Sequence, residues 1–236
     1  MSSAPLAQLQ IQKPGGSDSC VASNGFCPEW IVENIDRYWT PLLEHVYLTV
    51  VPVVIGFAIS MALAILAHRR RWLTGPIITV TGIFFAIPSV AAFFLLQPLT
   101  GLGYTTAMVA LVSYTLLIIF RNITTGLRNV PWETRDAAIG QGLTERQVLF
   151  RVELPMAVPE IMAGLRIATS TTVGLAALAV FAGAGGLGSE ILRGSDKYFK
   201  SNVAVAGGLA VLLAAVCDLI ILAVQRAITP WQRARA

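Results

Sequence analysis

The chain has 236 residues, of which 55% are hydrophobic and 13% are charged, and its formal net charge is +4. A typical soluble domain carries about 25% charged residues, so this composition excludes a disordered chain, a nucleic-acid-binding module and an ordinary cytosolic enzyme. It indicates an all-α, polytopic membrane protein, in which a positive excess is typical of the loops on the inner side of the membrane.

Residues 1–41 are predicted to form a polar segment outside the membrane. They contain no basic stretch followed by an apolar core, so we expect no cleavable signal peptide. Residues 29–45 are amphipathic and rich in aromatic anchors, which predicts an interfacial helix on the outer surface. Cys20 and Cys27 could form a short disulfide loop if this segment faces an oxidising compartment, but their spacing alone does not decide it.

Five stretches approach the roughly 20 apolar residues that a membrane-spanning helix needs. They lie near residues 46–67, 74–96, 104–120, 161–181 and 203–223. Pro88 is predicted to kink the second span, where Ser89 could re-satisfy a freed backbone group. The third span is predicted to close at Arg121.

The distribution of Lys and Arg predicts the orientation. With the N-terminus outside, the inner segments 68–73, 121–160 and 224–236 hold eleven of these residues and the outer segments hold five. An inner excess is the usual arrangement, so we expect the N-terminus outside and the C-terminus in the cytoplasm. The predicted domain division is an outer segment (1–41), a transmembrane domain (42–225) and a cytoplasmic tail (226–236).

The inner segment 121–160 is too patterned to be disordered. Pro131 suits an early helical position, and this helix is predicted to run to about Ile139. Gly140 and Gly142 then predict a sharp turn. Thr144 and Gln147 form a capping box for a second short helix, which is predicted to stop near Pro155 before Pro159 starts the fourth span. A membrane-lying loop and a docking surface both fit this pattern.

The same segment resembles the EAA loop of ABC importer permeases. That loop reads Glu-Ala-Ala, three residues, Gly, nine residues, Ile, one residue and Leu-Pro; here Asp136 replaces Glu and Val152 replaces Ile, with every spacing kept. The resemblance implies a type I ABC importer permease fold and a cytoplasmic ATP-binding subunit docked on the loop. The residues implied in coupling are Asp136, Ala137, Ala138, Gly142, Leu143, Thr144, Leu154 and Pro155.

Three further segments resemble permeases for glycine betaine, carnitine, choline and proline: Ile87-Pro88-Ser89-Val90, residues 151–166, and the glycine run 183–188. The resemblance implies an importer subunit for osmoprotectant compatible solutes in the inner (plasma) membrane. Its expected partners are the ATPase, a second permease chain, identical or related, and an extracytoplasmic solute-binding protein. Methionine importer permeases share the loop and the glycine run, so a methionine or other amino-acid permease stays open, as does a secondary transporter.

Several residues are candidates for the translocation pathway or its gates: Pro88, Ser89, Thr171, Thr172, Gly185 and Gly186. Polar residues in the fourth span serve helix packing or line a path, and the sequence does not separate the two. Asp218 is the acidic residue deepest in a span; we expect it to form a structural ion pair with Arg226 or a loop arginine rather than a substrate site.

No residue pattern indicates catalysis. HExxH, Gly-x-Ser-x-Gly and the GxxxxGK[ST] phosphate loop are all absent from the sequence, and each is the signature of a specific catalytic or phosphate-binding geometry. We therefore expect no enzymatic activity, no metal and no cofactor bound by this chain, with ATP hydrolysed by the partner subunit. Gly183-x-Gly185-x-x-Gly188 formally fits a dinucleotide motif, but it follows a membrane span and is interpreted as an irregular outer loop near the mouth of the pathway.

Overall fold

The computed structural model describes residue 20 and residues 26–230, and within that part every regular element is helical. In chain order the α-helices are α1 (Pro28–Glu33), α2 (Trp39–Arg69), α3 (Thr74–Ala86), α4 (Ser89–Thr100), α5 (Tyr104–Arg128), α6 (Trp132–Gly140), α7 (Glu145–Val148), α8 (Leu154–Ala176), α9 (Leu187–Asp196) and α10 (Lys200–Ile228). Short 3-10 turns cover Ile35–Tyr38, Arg71–Leu73 and Ala179–Ala182, and a π-helical turn covers Leu149–Glu153. The end of the bundle that carries α6 and α7 is called the loop end below.

Three described helices are long and apolar enough to cross a membrane by themselves: α2 with the turn before it, α5 and α10. The bent pair α3 and α4 would make a fourth if counted as one span. The fourth predicted span corresponds to α8, which is not among these helices. Its polar residues are tolerated because α2, α5 and α10 pack around it.

The first span begins earlier than predicted. Residues 29–45 do not form one interfacial helix: α1 ends at Glu33, and from Trp39 the chain already belongs to the 31-residue helix α2. Trp39 is 65% exposed, as expected of an aromatic anchor at a membrane surface. The amphipathic run therefore divides between two helices, and its position on the outer membrane surface stays a prediction.

The second span is broken rather than kinked. Helices α3 and α4 meet at an angle of 99° across Ile87 and Pro88. Pro88 precedes the first residue of α4, where its missing N–H costs no helical hydrogen bond. The freed carbonyl of Ile87 accepts a hydrogen bond from the Tyr114 hydroxyl at 2.5 Å. The group that re-satisfies this backbone is thus Tyr114 of α5, in place of the predicted Ser89.

The third span runs through Arg121 to Arg128, seven residues past the predicted end. Its buried side is continuous, with Phe120 and Ile123 fully enclosed, while Arg121 points away from the core and is exposed. At the loop end this side packs against Ala64 of α2 and Ala157 of α8. The charge at position 121 therefore does not end the helix, because it lies on the outer face.

The chain also enters α8 without the predicted stop at Pro155. Helix α7, the π turn and α8 follow one another directly from residue 145 to residue 176. In the π turn the Leu154 N–H donates to the Leu149 carbonyl, a pairing five residues apart. This local register accommodates Pro155 in the first turn of α8, and Pro159 lies inside the helix instead of starting it.

Candidate functional site

The predicted helix–turn–helix is present at the loop end. Helix α6 ends at Gly140, and Gly142 adopts φ +87°, a left-handed conformation that glycine adopts without penalty. The capping box forms as predicted: the Thr144 N–H donates to Gln147 Oε1 at 2.8 Å, and the Gln147 N–H donates to Thr144 Oγ1 at 3.4 Å. Local sequence alone fixes this turn.

The predicted coupling residues divide into an exposed and an enclosed group. Four of them are exposed and therefore accessible to another protein: Asp136, Ala137, Gly142 and Thr144. The others are buried or half-buried and hold the loop against the bundle: Ala138, Leu143, Leu154 and Pro155. Their role in coupling to an ATPase stays a prediction, although the exposed group has the accessibility that docking requires.

A buried carboxylate that sequence reasoning missed anchors the loop. Glu153 is 4% exposed, and its Oε2 lies 2.9 Å from His68 Nε2 at the end of α2. Its Oε1 lies 3.7 Å from Arg135 Nε of α6, and Arg135 also pairs with Glu145 of α7. Because a buried charge is costly unless it is paired, this network fixes the loop to the first long helix.

A cavity of ≈ 340 Å³ lies beside this network. Its lining includes Arg71, Arg128 and Trp132, together with His68 and Glu153 of the network itself. The cavity separates α6 from the ends of α2 and α5, so the main connections of α6 to the bundle are the Arg135 ion pairs and the packing of its neighbours.

An ion pair connects α8 and α10. Arg166 Nε and Nη2 donate to the two carboxylate oxygens of Asp218, each at 2.7 Å. Asp218 does form an ion pair as expected, but with Arg166 rather than with Arg226 or a loop arginine. The sequence did contain one indication, since Arg166 and Asp218 are both charged residues placed inside apolar stretches.

The pathway candidates lie on three separate elements. Pro88 and Ser89 are at the break between α3 and α4. Thr172 is buried and donates its hydroxyl to the Ala168 carbonyl of its own helix at 2.7 Å, which favours a packing role. Thr171 borders a groove beside Arg166. The pathway roles of these residues stay predictions.

Gly185 and Gly186 lie in an irregular turn between α8 and α9, as expected for the glycine run. The Gly186 N–H donates to Glu44 Oε2 of α2 at 2.7 Å, and Glu44 also accepts a hydrogen bond from Tyr104. A Cβ on Gly185 would lie 2.0 Å from Glu44 Oε2. Small residues at this turn therefore let α2 and α5 hold it closely.

The described part of the N-terminal segment, residue 20 and residues 26–38, lies at the same end of the bundle. Cys20 and Cys27 form a disulfide, which the sequence left open. Arg37 Nη2 lies 2.8 Å from Glu190 Oε2 of α9, and the rings of Trp30 and Phe199 pack edge to face at 4.6 Å. The segment thus covers the junction of α9 and α10.

The described residues include no group of three or more His, Cys, Asp or Glu side chains placed to hold a metal ion. The arrangement at the loop end instead combines an exposed turn, a buried ion-paired carboxylate and a helix that continues into the bundle.

Comparison with protein families agrees with this architecture. Residues 54–234 match the family of binding-protein-dependent transport system inner membrane components. This is more than half of the chain, and the chain belongs to that family. It is a multi-pass inner-membrane protein with the fold of a type I ABC importer permease.

The most similar relatives include transport permeases of osmoprotectants. The glycine betaine/carnitine/choline transport system permease protein OpuCD of Bacillus subtilis is 36% identical over 191 residues, 80% of this chain and 83% of the relative. The choline transport system permease protein OpuBB of the same organism is 36% identical over 79% of this chain and 86% of the relative. The osmoprotectant import permease protein OsmW of Salmonella typhimurium is 35% identical over 85% and 96%.

Solved structures of similar fold include the MetNI methionine ABC transporter in an inward-facing conformation, with a TM-score of 0.73 at 24% identity over 85% of this chain and 99% of that chain. An amino acid ABC transporter determined with histidines gives a TM-score of 0.69 at 17% identity, covering 84% of this chain and 97% of that chain. At these identities the likeness shows the fold alone.

Proposed function

We propose that this chain is the membrane-spanning subunit of an ATP-driven importer for compatible solutes such as glycine betaine, choline, carnitine or proline. The substrate class is supported by relatives at 35–36% identity that are named as permeases for glycine betaine, carnitine, choline or osmoprotectants. The observation that carries the coupling role is the exposed turn at Gly142, held to the bundle through the buried Glu153.

The partners follow from what this chain does not supply itself. It has no phosphate-binding loop, so ATP would be bound and hydrolysed by a separate subunit docked on the 121–160 loop, and this chain itself would not be an enzyme. Few residues of α10 are fully buried within this chain, and a Cβ on Gly207 or Gly208 would meet nothing within 4 Å. A second permease chain packed close to this helix would cover it. A solute-binding protein would deliver the solute on the outer side.

The proposed orientation places residues 1–41 outside the membrane, residues 42–225 in the permease domain with its coupling loop inside, and residues 226–236 in the cytoplasm. The Cys20–Cys27 disulfide supports this orientation, because disulfides persist in oxidising compartments. In a Cys217→Ser background, a membrane-impermeant maleimide should label intact cells only after treatment with an impermeant reductant. Labelling that requires permeabilised cells would reverse the orientation.

Uptake of labelled glycine betaine at high osmolarity tests the function. The assay uses cells that lack this chain, with the intact chain restored, and with its Gly142→Val or Asp136→Lys form. We expect uptake only with the intact chain, while both variants still insert into the membrane. Glu133→Lys is the matched control, because Glu133 is also exposed on α6 but lies outside the loop motif.

Each outcome has a separate meaning. Absence of glycine betaine and choline uptake, with the chain present in the membrane, would remove the compatible-solute assignment, and labelled methionine would be measured next. Normal uptake by the Asp136→Lys form would remove the docking role of the loop. Uptake that continues without ATP but depends on an ion gradient would instead indicate a secondary transporter.

A further inference from the structure

The ion pair between Arg166 and Asp218 lies near the middle of two membrane helices. Arg166 is twelve residues from the first residue of α8, and Asp218 is ten residues from the last residue of α10. At a rise of about 1.5 Å per residue these are distances of roughly 18 Å and 15 Å along the helices. Measured from the inner ends of the predicted spans, residues 161 and 223, both charges lie five residues, or roughly 7–8 Å, inside the membrane.

The pair is not enclosed by this chain. The side chains of Arg166 and Asp218 keep 33% and 32% of their surface exposed. An ion pair at this depth that faced lipid tails would be unfavourable, and charged groups inside membranes normally face a bundle interior or a water-filled cavity. We therefore expect the open side of the pair to face the interior of the assembled transporter.

A groove of ≈ 450 Å³ opens beside the pair. Its polar lining consists of both charged groups with Ser170 and Thr171, and Ala163 and Ile167 complete it. The neighbouring Thr169 and Thr172 are buried, and their hydroxyls donate hydrogen bonds to backbone carbonyls of the same helix. The groove thus presents one cation, one anion and two hydroxyl groups on a single face.

This set of groups is complementary to a short zwitterion. A guanidinium binds a carboxylate through two parallel N–H groups, as it already does with Asp218. A carboxylate attracts a nearby cation, including a quaternary ammonium that cannot donate a hydrogen bond. When the groove is empty, each charge satisfies the other, so neither is left unpaired in the membrane.

We propose that this groove is a solute contact in the translocation pathway, in which Arg166 takes the carboxylate and Asp218 the cationic group of a passing zwitterion. The ion pair opens as the solute enters and closes after it leaves. The solute replaces the ion pair between Arg166 and Asp218 with two equivalent ion pairs to its own charged groups. The net binding energy is therefore small, and the solute can leave the groove and move along the pathway. This inference rests on the proposed function, since it concerns the same class of solutes.

The test compares two solutes that share a quaternary ammonium and differ in the carboxylate. Arg166→Gln should lower uptake of labelled glycine betaine at least tenfold more than uptake of labelled choline, which has no carboxylate. Asp218→Asn should lower uptake of both. Arg121→Gln is the matched control, because Arg121 is exposed at the loop end of α5 and outside the groove; it should leave the ratio of the two rates unchanged.

The amount of chain in the membrane is measured for every variant. A purely structural tie between α8 and α10 predicts that uptake of both solutes falls in parallel with the amount of chain. An unchanged ratio in Arg166→Gln, while the intact chain imports both solutes, overturns this inference and leaves the proposed function standing. No uptake of either solute by the intact chain overturns the proposed function itself.

Arg166→Lys keeps the test decisive if the Gln form does not accumulate. Lysine retains the positive charge but loses the paired N–H geometry. We expect a higher KM for glycine betaine and an unchanged KM for choline. Equal KM values for the intact chain and the Lys form, for both solutes, would overturn the inference.

Discussion

The contact between α5 and α8 gives a quantitative prediction at Gly164. A Cβ at this position would lie 2.3 Å from Asn122 Cβ and 2.8 Å from Asn122 Cγ. Asn122 Cβ is attached directly to the backbone of α5, and its amide donates to the Ile118 carbonyl at 2.8 Å. The clash therefore cannot be relieved by turning a flexible side chain.

The expected effect of Gly164→Ala is the difference between two terms. Overpacking of this kind costs about 1–3 kcal/mol, and replacing glycine by alanine inside a helix returns about 0.5–1 kcal/mol. The net destabilisation is then about 0–2.5 kcal/mol, and the contact with a backbone-attached Cβ favours the upper part of that range. For a chain of this size that corresponds to a Tm lower by up to roughly 10 °C.

Gly174→Ala is the matched control. Gly174 lies in the same helix, and a Cβ there would meet nothing within 4 Å. We expect its Tm to be equal to that of the intact protein or slightly higher. The measurement is thermal unfolding of the detergent-solubilised protein, followed by size-exclusion chromatography. A Tm for Gly164→Ala at or above that of Gly174→Ala would refute the packing argument.

Three further predictions concern the loop and the first long helix. Gly142→Ala places a side chain at φ +87°, a cost of about 1–2 kcal/mol that should lower the equilibrium constant for forming the native turn by about 5- to 30-fold, so solute uptake should fall. Glu153→Gln removes the buried charge that His68 and Arg135 share, so uptake should fall while the amount of chain in the membrane is kept. Gly56→Ala, whose Cβ would lie 1.8 Å from Thr115 Oγ1, should lower Tm, and adding Thr115→Ala should restore it.

Each of these predictions has a control in the same chain. Gly140→Ala adds the same methyl group to open space at the end of α6 and should leave uptake unchanged. Glu145→Gln removes an exposed charge that also pairs with Arg135, and such pairs contribute little. Equal uptake by the Gly142 and Gly140 forms, or by the Glu153 and Glu145 forms, would contradict the first two predictions. Failure of Thr115→Ala to restore Tm would contradict the third.

The parts of this fold that the sequence predicts are those that local interactions determine. The turn at Gly142 and the capping box at Thr144 involve residues within a few positions of each other, and both are present. The family resemblance in the same segment is confirmed by the comparisons. Local pattern, however, placed the ends of helices poorly, as the continuation of α5 through Arg121 shows.

The features that the sequence did not predict depend on partners distant in the chain. The break at Pro88 uses Tyr114, which is 27 positions away from the carbonyl that it contacts. Arg166 and Asp218 are 52 positions apart. Glu153 stands within the loop motif, yet its burial depends on His68 from another helix. Spacing cannot identify such pairs, because they are set by which helices pack together.

The unbroken helix from residue 145 to residue 176 has a mechanical consequence. Its 32 residues form a helix of roughly 48 Å. Glu153 lies close to its loop end, and the glycine turn held by Glu44 lies just beyond its opposite end. If this helix tilts about its loop end by about 5°, its opposite end moves by about 4 Å, because displacement grows with distance from the axis of rotation. The same rotation moves Glu153 by only about 1 Å, because it lies about 12 Å from residue 145 along the helix, so a small tilt acts mainly on the contact between Glu44 and Gly186.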